Sequence, residues 1–431
     1  MSVVRDTDVQ KRTIRVLGTA QVLSGIGVGA GIAAGSLLVA EISGSEGLAG
    51  LAQTSGVLGA ALAAGPLAWL SAKSGRRLGL ATGFWIAAVG AAVTVLAATL
   101  EWVPLVLLGN FGVGVASAVS LQARYAASDL AKPQHIGRDL AFVVWATTVG
   151  AVLGPNLMEP ASRLADALSL PPLSGAFLVT AAGVTLAAMV VLGFLRPDPL
   201  LEARRLASVG EESPATERPG MVADLRRGWR AVRSAPGASL GVASLAVGHV
   251  VMIMVMVMTP VHMQHVDVTL QVIGLVISVH VLGMFALSPA VGWLSDRLGS
   301  TTIIGAGIVL LVAATATAGT AAGDSVVQLG VGLFLLGLGW SCTLVGGSAL
   351  LSVSVSEDAR PVAQGVGDTL MNVAAAIGGA AAGLIVYTAS YGWLNLAAGL
   401  CLVPVALGLV RFLSSQQNRR RVGGGIRTPV R

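Results

Sequence analysis

The stretch GWLSDRLGS, Gly292–Ser300, is a short polar segment between two long apolar runs, and the chain contains a second version of it. The other copy, AWLSAKSGRR, covers Ala68–Arg77 and lies 224 residues earlier. In register, both copies share Trp, Leu, Ser and a final Gly, but the later copy carries Asp296 where the earlier one carries Ala72. The repetition indicates that the chain consists of two related halves.

Composition places most of the chain in lipid. Of the 431 residues, 54% are hydrophobic and 11% are charged, whereas a soluble protein has about 25% charged residues. Such a chain cannot cover itself with polar surface, so its solvent must largely be a membrane. The 56 glycines agree with this, because small residues let helices approach closely in a bilayer.

Twelve stretches are long and apolar enough to be membrane-spanning helices, which need about 20 residues each. They are Ile14–Ala40, Gly47–Leu70, Leu78–Leu100, Val103–Ala123, Leu140–Met158, Gly175–Leu195, Ser239–Val261, Leu270–Leu294, Thr301–Ala322, Val326–Leu351, Val362–Val386 and Leu394–Phe412. The predicted organisation is a six-helix half at 1–195, a linker at 196–236, a second six-helix half at 237–413 and a basic tail at 414–431.

The predicted linker is polar and charged. Its middle, EESPATERPG at 211–220, is typical of a flexible segment. Its end, MVADLRRGWRAVRSA at 221–235, is either a basic amphipathic helix on the membrane surface or a solvated segment.

Positive charge is distributed unevenly between the two sets of loops. Alternate loops hold 26 of the 27 Lys and Arg residues, and the opposite loops hold only Arg163. Because basic residues accumulate on the cytoplasmic side of a membrane, both termini and the linker are predicted to be cytoplasmic. This distribution also accounts for the net charge of +6 without a nucleic-acid partner.

Twelve spans in two halves with this repeated loop resemble the major facilitator superfamily, whose loop phrase is roughly G-x-L-a-D-R-x-G-R-R. The second copy matches the phrase at Gly292, Leu294, Asp296, Arg297 and Gly299. The first copy keeps Leu70, Lys73, Gly75, Arg76 and Arg77, but has Ala68 and Ala72 for the first Gly and the Asp. The resemblance implies an all-α fold of twelve transmembrane helices in two six-helix pseudo-repeats.

The two loops are predicted to hold the cytoplasmic side shut in one state. In a loop of this kind the acid can lie against a helix N-terminus, and basic residues can face acids across the halves. Since the first copy lacks the acid, the gate is predicted to be asymmetric.

A second motif favours export. GAVLGP, at 150–155, resembles the G-x-x-x-G-P-x-x-G-G motif of proton-driven exporters at Gly150, Gly154 and Pro155. Glycines four residues apart also give a smooth face for helix contact, and the proline bends or weakens the helix, so ordinary packing is the alternative. Leu108 stands where exporters often carry an Arg in the fourth span.

Asp368 is the clearest acid inside a span, about 10 Å from the start of the eleventh. An ionisable group within a span is costly and is a functional candidate, so we predict proton coupling at this carboxylate. The alternative is a structural acid paired with a helix N-terminus or an Arg. Arg124 is interpreted as a loop anchor near the end of the fourth span.

Other polar residues are candidates for lining a cavity. His249 and His280 fall near mid-span on adjacent helices and are predicted to share one cavity, with a hydrogen bond to a neighbouring helix as the alternative. Met252 and Met256 share a helical face with His249 and would form a soft wall. The uncharged candidates, for which an interhelical hydrogen bond is the favoured role, are Gln21, Asn110 and Asn372.

These features predict a secondary transporter of the bacterial inner membrane that exports a small apolar or amphipathic molecule in exchange for protons, by alternating access. Two alternatives stay open: a metabolite importer or facilitator of the same fold, and a membrane sensor that no longer transports. The sequence contains no phosphate-binding Gly-Lys-Ser/Thr loop. We predict a monomer with no cofactor, no metal site and no enzymatic activity.

Overall fold

The computed structural model describes residues 2–44, 46–207, 220–264, 270–322 and 325–423, and the regular elements in these ranges are helices. The helices are α1 (Ser2–Ser43), α2 (Glu46–Ser74), α3 (Arg76–Thr99), α4 (Val103–Ser128), α5 (Ile136–Asn156), α6 (Met158–Ala167), α7 (Ser174–Phe194), α8 (Pro199–Ala207), α9 (Met221–Ser234), α10 (Pro236–Gln264), α11 (Leu270–Phe285), α12 (Ser288–Leu298), α13 (Ser300–Gly319), α14 (Val326–Ser354), α15 (Arg360–Thr388), α16 (Tyr391–Leu400) and α17 (Val403–Gly423). A short 3-10 turn, Pro133–His135, precedes α5.

Twelve segments of the described residues can cross a membrane by length and composition, and the predicted twelve-span, all-α fold is confirmed. In lipid, the backbone must satisfy its own hydrogen bonds, which a helix does within one segment. The eighth span is divided into α11 and α12, and the twelfth into α16 and α17. In each case a proline, Pro289 or Pro404, is the second residue of the later piece, where it cannot donate a backbone hydrogen bond to the preceding turn.

Six spans form each half of the molecule. The first half contains α1 to α5 and α7, and the second contains α10 to α17, with α8 and α9 between them. The sequence did not predict α6, a short amphipathic helix that follows α5. Its buried residues, Ala161 and Ala165, lie on one side, and Gly175 at the start of α7 lies close to the backbone of Ala161.

The end of the linker is a helix rather than a solvated segment. Asp224, Gly228 and Val232 are spaced four residues apart and form the buried face of α9. Gly228 lies against the backbone of Val362 at the start of α15. The predicted flexible segment at 211–220 lies outside the described residues except for Gly220.

The two copies of the loop phrase have matching local structure. Gly75 has a φ of 93° and Gly299 a φ of 88°, a backbone conformation that residues with a Cβ rarely adopt. Each glycine ends one span and caps the next helix, α3 or α13. The cation four residues after the Trp also lies over its ring in both copies, at 5.2 Å for Lys73 and 4.3 Å for Arg297. This agreement supports the two-repeat architecture.

Both loops lie on one face of the molecule, together with α8 and α9. We call this the linker face and define it by residues 73–77, 129–139, 196–207, 220–236, 296–300 and 355–361. The opposite face carries the turn at 99–103, helix α6 and the turn at 388–391.

Candidate functional site

A cavity of about 100 Å³ lies in the first half, where that half meets helix α15 of the second, and we call it the central cavity. Its walls come from α1, α2 and α4 of the first half and α15 of the second: Val28, Ala52, Gln53, Gly56, Val57, Ala60, Asn110, Val113, Gly114, Ser117 and Asn372. The side chains in this lining are uncharged, and its polar members carry amide or hydroxyl groups. Two of the predicted candidates, Asn110 and Asn372, are therefore in the central cavity.

Among the residues that the structure describes, the two asparagines bond within their own helices, whereas interhelical hydrogen bonds were expected of them. Asn110 Nδ2 donates to Val106 O at 3.0 Å, and Asn372 Nδ2 donates to Asp368 O at 2.8 Å, each within its own helix. Intrahelical bonds of this kind orient both amide groups without fixing the halves to each other. Gln53 and Ser117 complete the polar lining and were missed, because a single uncharged polar residue in an apolar span carries little signal in the sequence.

Beneath the central cavity, toward the linker face, a buried ion pair joins the halves. Arg124 of α4 and Asp368 of α15 approach to 2.7 Å between Nη2 and Oδ1, with exposed fractions of 1% and 0% for the two side chains. Asp368 lies one helical turn closer to the linker face than Asn372. Its second carboxylate oxygen, Oδ2, is buried and accepts no hydrogen bond of good geometry from the residues that the structure describes.

Arg124 is held on several sides. Its Nε donates to Ser348 Oγ of α14 at 3.0 Å, its Nη1 to Leu121 O at 2.8 Å and its Nη2 to Tyr125 OH at 3.1 Å. The guanidinium also lies over the ring of Tyr125, 4.4 Å from its centroid. The interpretation of Arg124 as a loop anchor is wrong. The predicted span ended at Ala123, and extending it by one turn would have counted an Arg inside the membrane.

A second buried arginine joins the halves closer to the linker face. Arg76 donates to both carboxylate oxygens of Asp129, at 2.8 and 3.1 Å, and to Gln364 Oε1 of α15 at 2.6 Å. Gln364 in turn donates to Ser352 Oγ of α14 at 3.1 Å. The acid that faces Arg76 thus belongs to the same half, and the contact across the halves is made through a neutral amide.

Asp296 in the second loop caps a helix of the first half. Its two carboxylate oxygens accept hydrogen bonds from the backbone N–H groups of Gly137 and Arg138, at 2.7 and 2.9 Å. These groups lie in the first turn of α5, where backbone N–H groups have no partner within the helix and the helix dipole favours a negative charge. The acid therefore ties α12 to α5 across the boundary between the halves.

Small residues let the helices meet at both equivalent positions. A Cβ placed on Gly292 would overlap Gly137 O and Ala141 Cβ, and one placed on Gly365 would overlap Ala68 Cβ. The contact of Gly292 in α12 with Ala141 in α5 is thus equivalent to the contact of Ala68 in α2 with Gly365 in α15. The two contacts differ only in which helix carries the glycine and which carries the alanine. This explains how the first copy tolerates Ala68 in place of glycine.

The same correspondence explains the missing acid. Counting back four residues from Ala141 and from Gly365 gives Gly137 and Pro361. Gly137 donates a backbone hydrogen bond to Asp296, whereas a proline has no N–H to donate. An acid at residue 72 would therefore lack one of the two donors that hold Asp296.

The linker supplies contacts around the first loop instead. Arg204 of α8 donates to Ala72 O at 2.8 Å and lies 3.8 Å from Asp358, in the loop before α15. Asp198 accepts from the backbone N–H of Arg77 at 2.7 Å, beside Gly75. These residues were not predicted, because the sequence does not indicate which distant loop or helix a polar side chain of the linker contacts.

The two mid-span histidines are not brought together. His280 is fully buried, and its Nδ1 lies 2.8 Å from Leu333 O of α14. His249 Nδ1 accepts a hydrogen bond from Trp340 Nε1, also of α14, at 2.9 Å. The prediction that both line one cavity is corrected: each bonds a neighbouring helix. Depth along a span follows from counting, but the direction of a side chain around the helix does not.

The remaining candidates pack within one half. Met252 is buried in the apolar core of the second half with Met256 packed against it, so Met252 is not a cavity wall. Gln21 Nε2 donates to Ser120 O of α4 at 3.3 Å, and Gln21 is not among the residues that line the central cavity.

The glycines of the exporter-type motif make a close helix contact. A Cβ on Gly150 would overlap the backbone of Gly25, and one on Gly154 would meet the backbone of Gly29 at 2.8 Å. The two glycine pairs bring α1 and α5 together. Pro155 lies in the last turn of α5, which ends at Asn156.

The hydrogen bonds and ion pairs described here between the halves lie on the linker-face side of the central cavity. The molecule is thus in a state in which the halves are joined at the linker face.

A model of the Major Facilitator Superfamily matches residues 17–267 and 240–429 of the chain. The chain belongs to the major facilitator superfamily. It is therefore a multi-pass membrane transporter and not an enzyme. Two relatives from Bacillus subtilis (strain 168) are named as uncharacterized MFS-type transporters. YddS is 34% identical over 96% of this chain and 94% of its own, and YdeG is 36% identical over 94% and 93%.

Other members of the superfamily resemble the chain more distantly. The riboflavin transporter RfnT of Brucella anthropi is 28% identical over 94% of this chain and 97% of its own. Among solved structures, the proton:xylose symporter XylE, bound to 6-bromo-6-deoxy-D-glucose, gives a TM-score of 0.71 at 17% identity, covering 94% of this chain and 96% of that one. The human organic anion transporter MFSD10 (TETRAN) gives 0.67 at 17% identity, covering 93% and 99%. These structures confirm the fold.

Proposed function

We propose that this major facilitator protein is a proton-coupled exporter of a small, neutral, apolar or amphipathic molecule, of the drug:proton antiporter type. The observation that carries the proposal is the buried Arg124–Asp368 pair between the halves. The central cavity would hold the substrate, and the pair beneath it would respond to a proton.

The stability of the Arg124–Asp368 pair depends on the charge of both side chains. Two buried charges lose their hydration, and the attraction between them compensates only while the geometry is intact. Protonation of Asp368 removes one charge and weakens the contact that joins α4 to α15. The halves would then separate on the linker face, and the carboxyl group would carry a proton through the transport cycle.

The lining of the central cavity supports a neutral substrate. Its apolar side chains are small or branched, and Gln53, Asn110, Ser117 and Asn372 offer hydrogen bonds without charge. A strongly charged substrate would need a compensating charge in the lining to offset its loss of water. The Gly150 and Gly154 contact with α1 agrees with the motif of exporters.

The linker face is proposed to be cytoplasmic, because it carries nearly all the loop Lys and Arg residues. The joined linker face would then be the closed cytoplasmic side of an outward-facing transporter in the bacterial inner membrane. A monomer contains both halves, so one chain suffices for alternating access.

The test begins with cells that overexpress the protein. A panel of fluorescent neutral amphipathic compounds is screened for extrusion, with and without a protonophore. A compound that is extruded is then followed in proteoliposomes with an imposed pH gradient.

In that assay, Asp368→Asn should abolish transport driven by the pH gradient but keep substrate exchange at equal pH, because the cavity is intact and only the proton site is lost. Asp224→Asn is the matched control, since it removes another buried carboxylate, which belongs to the linker and does not line the central cavity. If the Asp368→Asn protein still responds to the pH gradient as the unaltered protein does, the proton-coupling proposal is wrong.

A second candidate function is the import of a metabolite, which the similarity to the riboflavin transporter RfnT favours. Labelled riboflavin is the direct probe. Accumulation of the label by cells that express this chain would support import, whereas extrusion of a panel compound would support export.

A further inference from the structure

A second cavity, of about 520 Å³, opens on the linker face of the first half. We call it the basic cavity. It lies between the start of α1, the segment that joins α4 to α5, and helix α8: Val9, Gln10, Lys11, Ile14, Leu130, Ala131, Lys132, His135, Arg138, Asp139, Glu202 and Leu206. Its volume is in the range of cavities that bind small molecules, about 300–1,000 Å³.

The charges in the basic cavity are not balanced. Its two acids already have partners. Asp139 is buried and accepts hydrogen bonds from Gln10 Nε2 at 2.8 Å and Arg138 Nε at 3.2 Å. Glu202 forms an ion pair with Arg205 at 3.7 Å. In the part of the chain that the structure describes, no ion pair involves Lys11 or Lys132. Among the described residues, the ammonium groups of Lys11 and Lys132 thus line the cavity, together with His135, without a carboxylate at ion-pair distance.

The cavity also has an apolar wall, formed by Val9, Ile14, Leu130 and Leu206. Lys11 lies just before the apolar run of α1, and Lys132 lies just after α4, so both flank the ends of membrane spans. Cations at such positions lie at the level of lipid head groups. A ligand with a phosphate and an apolar part matches both walls.

We propose that the basic cavity binds a phosphate-bearing anion through Lys11 and Lys132, and that its source is an anionic phospholipid of the surrounding leaflet. The inference does not depend on the proposed export function, since the cavity shares no residue with the central cavity or the Arg124–Asp368 pair.

The occupant also acts on the contact between the halves. Arg138 lines the basic cavity with its side chain and donates its backbone N–H to Asp296. A phosphate held at Lys132 orders the segment that leads into α5 and so stabilises the helix start that Asp296 caps. The anion thus favours the state in which the halves are joined at the linker face.

The test measures ligand binding by thermal shift of the purified full-length protein. The ligands are dihexanoyl-phosphatidylglycerol, dihexanoyl-phosphatidylcholine and glycerol 3-phosphate. The variants are the double substitution Lys11→Gln with Lys132→Gln, and a control, Arg226→Gln with Arg230→Gln, which removes two exposed cations of α9 from the same face. Both lysines are exposed, so the melting temperature without ligand checks that the variant is folded.

Phosphatidylglycerol should raise the melting temperature, and the lysine variant should bind it about 30-fold more weakly, since each Lys near a membrane surface contributes about a fivefold gain. The arginine control should bind as the unaltered protein does. If only glycerol 3-phosphate raised the melting temperature, and did so only when both lysines were present, the phosphate site would be supported but its ligand would be soluble rather than a lipid. The proposal would be overturned if the unaltered protein, the lysine variant and the arginine control showed equal shifts in melting temperature. It would also be overturned if neither phosphatidylglycerol nor glycerol 3-phosphate shifted the melting temperature of the unaltered protein.

Discussion

Asp296 shows how much a single side chain contributes to joining the halves. It is half-buried in the last turn of α12, and it accepts hydrogen bonds from two backbone N–H groups of the other half. Hydrogen bonds to a charged group contribute about 1.5–3 kcal/mol each to stability. The equivalent position in the first loop, Ala72, faces a helix whose first turn includes Pro361 and so offers fewer donors.

Asp296→Asn should therefore impair transport several-fold, whereas Ala72→Ser should leave it close to that of the unaltered protein. An amide can accept one of the two hydrogen bonds but cannot supply the charge that favours the helix N-terminus. The measurement is the initial rate of transport in proteoliposomes, normalised to the amount of protein incorporated. Equal and mild effects at both positions would contradict the predicted asymmetry.

At the scale of helices, the linker does more than connect the two halves. Helix α8 places Arg204 between Ala72 and Asp358, and Asp198 just before it caps the start of α3. Helix α9 lays its buried face on the start of α15. The first loop is thus stabilised by hydrogen bonds from the linker, whereas the second loop is stabilised by the hydrogen bonds of its own Asp296.

Arg204→Gln should lower the free energy of unfolding by about 2 kcal/mol, because a charged group that bonds a partly buried carbonyl is lost. Arg205→Gln is the matched control, since it removes a neighbouring and more exposed arginine of the same helix. Thermal unfolding of the two purified variants in the same detergent gives the comparison. A similar loss for both would show that the Arg204 contact has no special role.

For the whole molecule, closure at the linker face depends on the close approach of small residues. Gly292→Val adds a side chain where even a Cβ would overlap the carbonyl of Gly137. The joined state should then be disfavoured, and the halves should lie further apart on this face. Spin labels at Gln134 and Glu357, which are exposed on the linker face of the two halves and lie outside the Asp296 contact, report this distance by pulsed electron resonance.

Gly330→Ala is the control for that experiment, because a Cβ at Gly330 in α14 would meet no atom within 4 Å. The label distances in the control should match those of the unaltered protein. An unchanged distance distribution in the Gly292→Val protein would show that the α5 and α12 contact does not limit closure.

Sequence reasoning accounted for the whole molecule better than for its site. Span length, the distribution of Lys and Arg and the repeated loop depend on local patterns, and these predicted the twelve helices. Arg124 and its partner Asp368 are 244 residues apart, and no local pattern links them. The prediction that His249 and His280 share a cavity was wrong for a different reason. Their depth in the membrane follows from the sequence, but the direction of each side chain is set by packing against α14.

The exchanged pairs, Ala68 with Gly365 and Gly292 with Ala141, have a consequence for the history of the two halves. Each contact has room for a single methyl group, and either helix can carry it. Two repeats descended from one ancestor could pass from one arrangement to the other through an intermediate with glycine on both sides. A route through two alanines would bring their methyl groups into overlap. A substitution at either position therefore constrains which residue its distant partner can accept next.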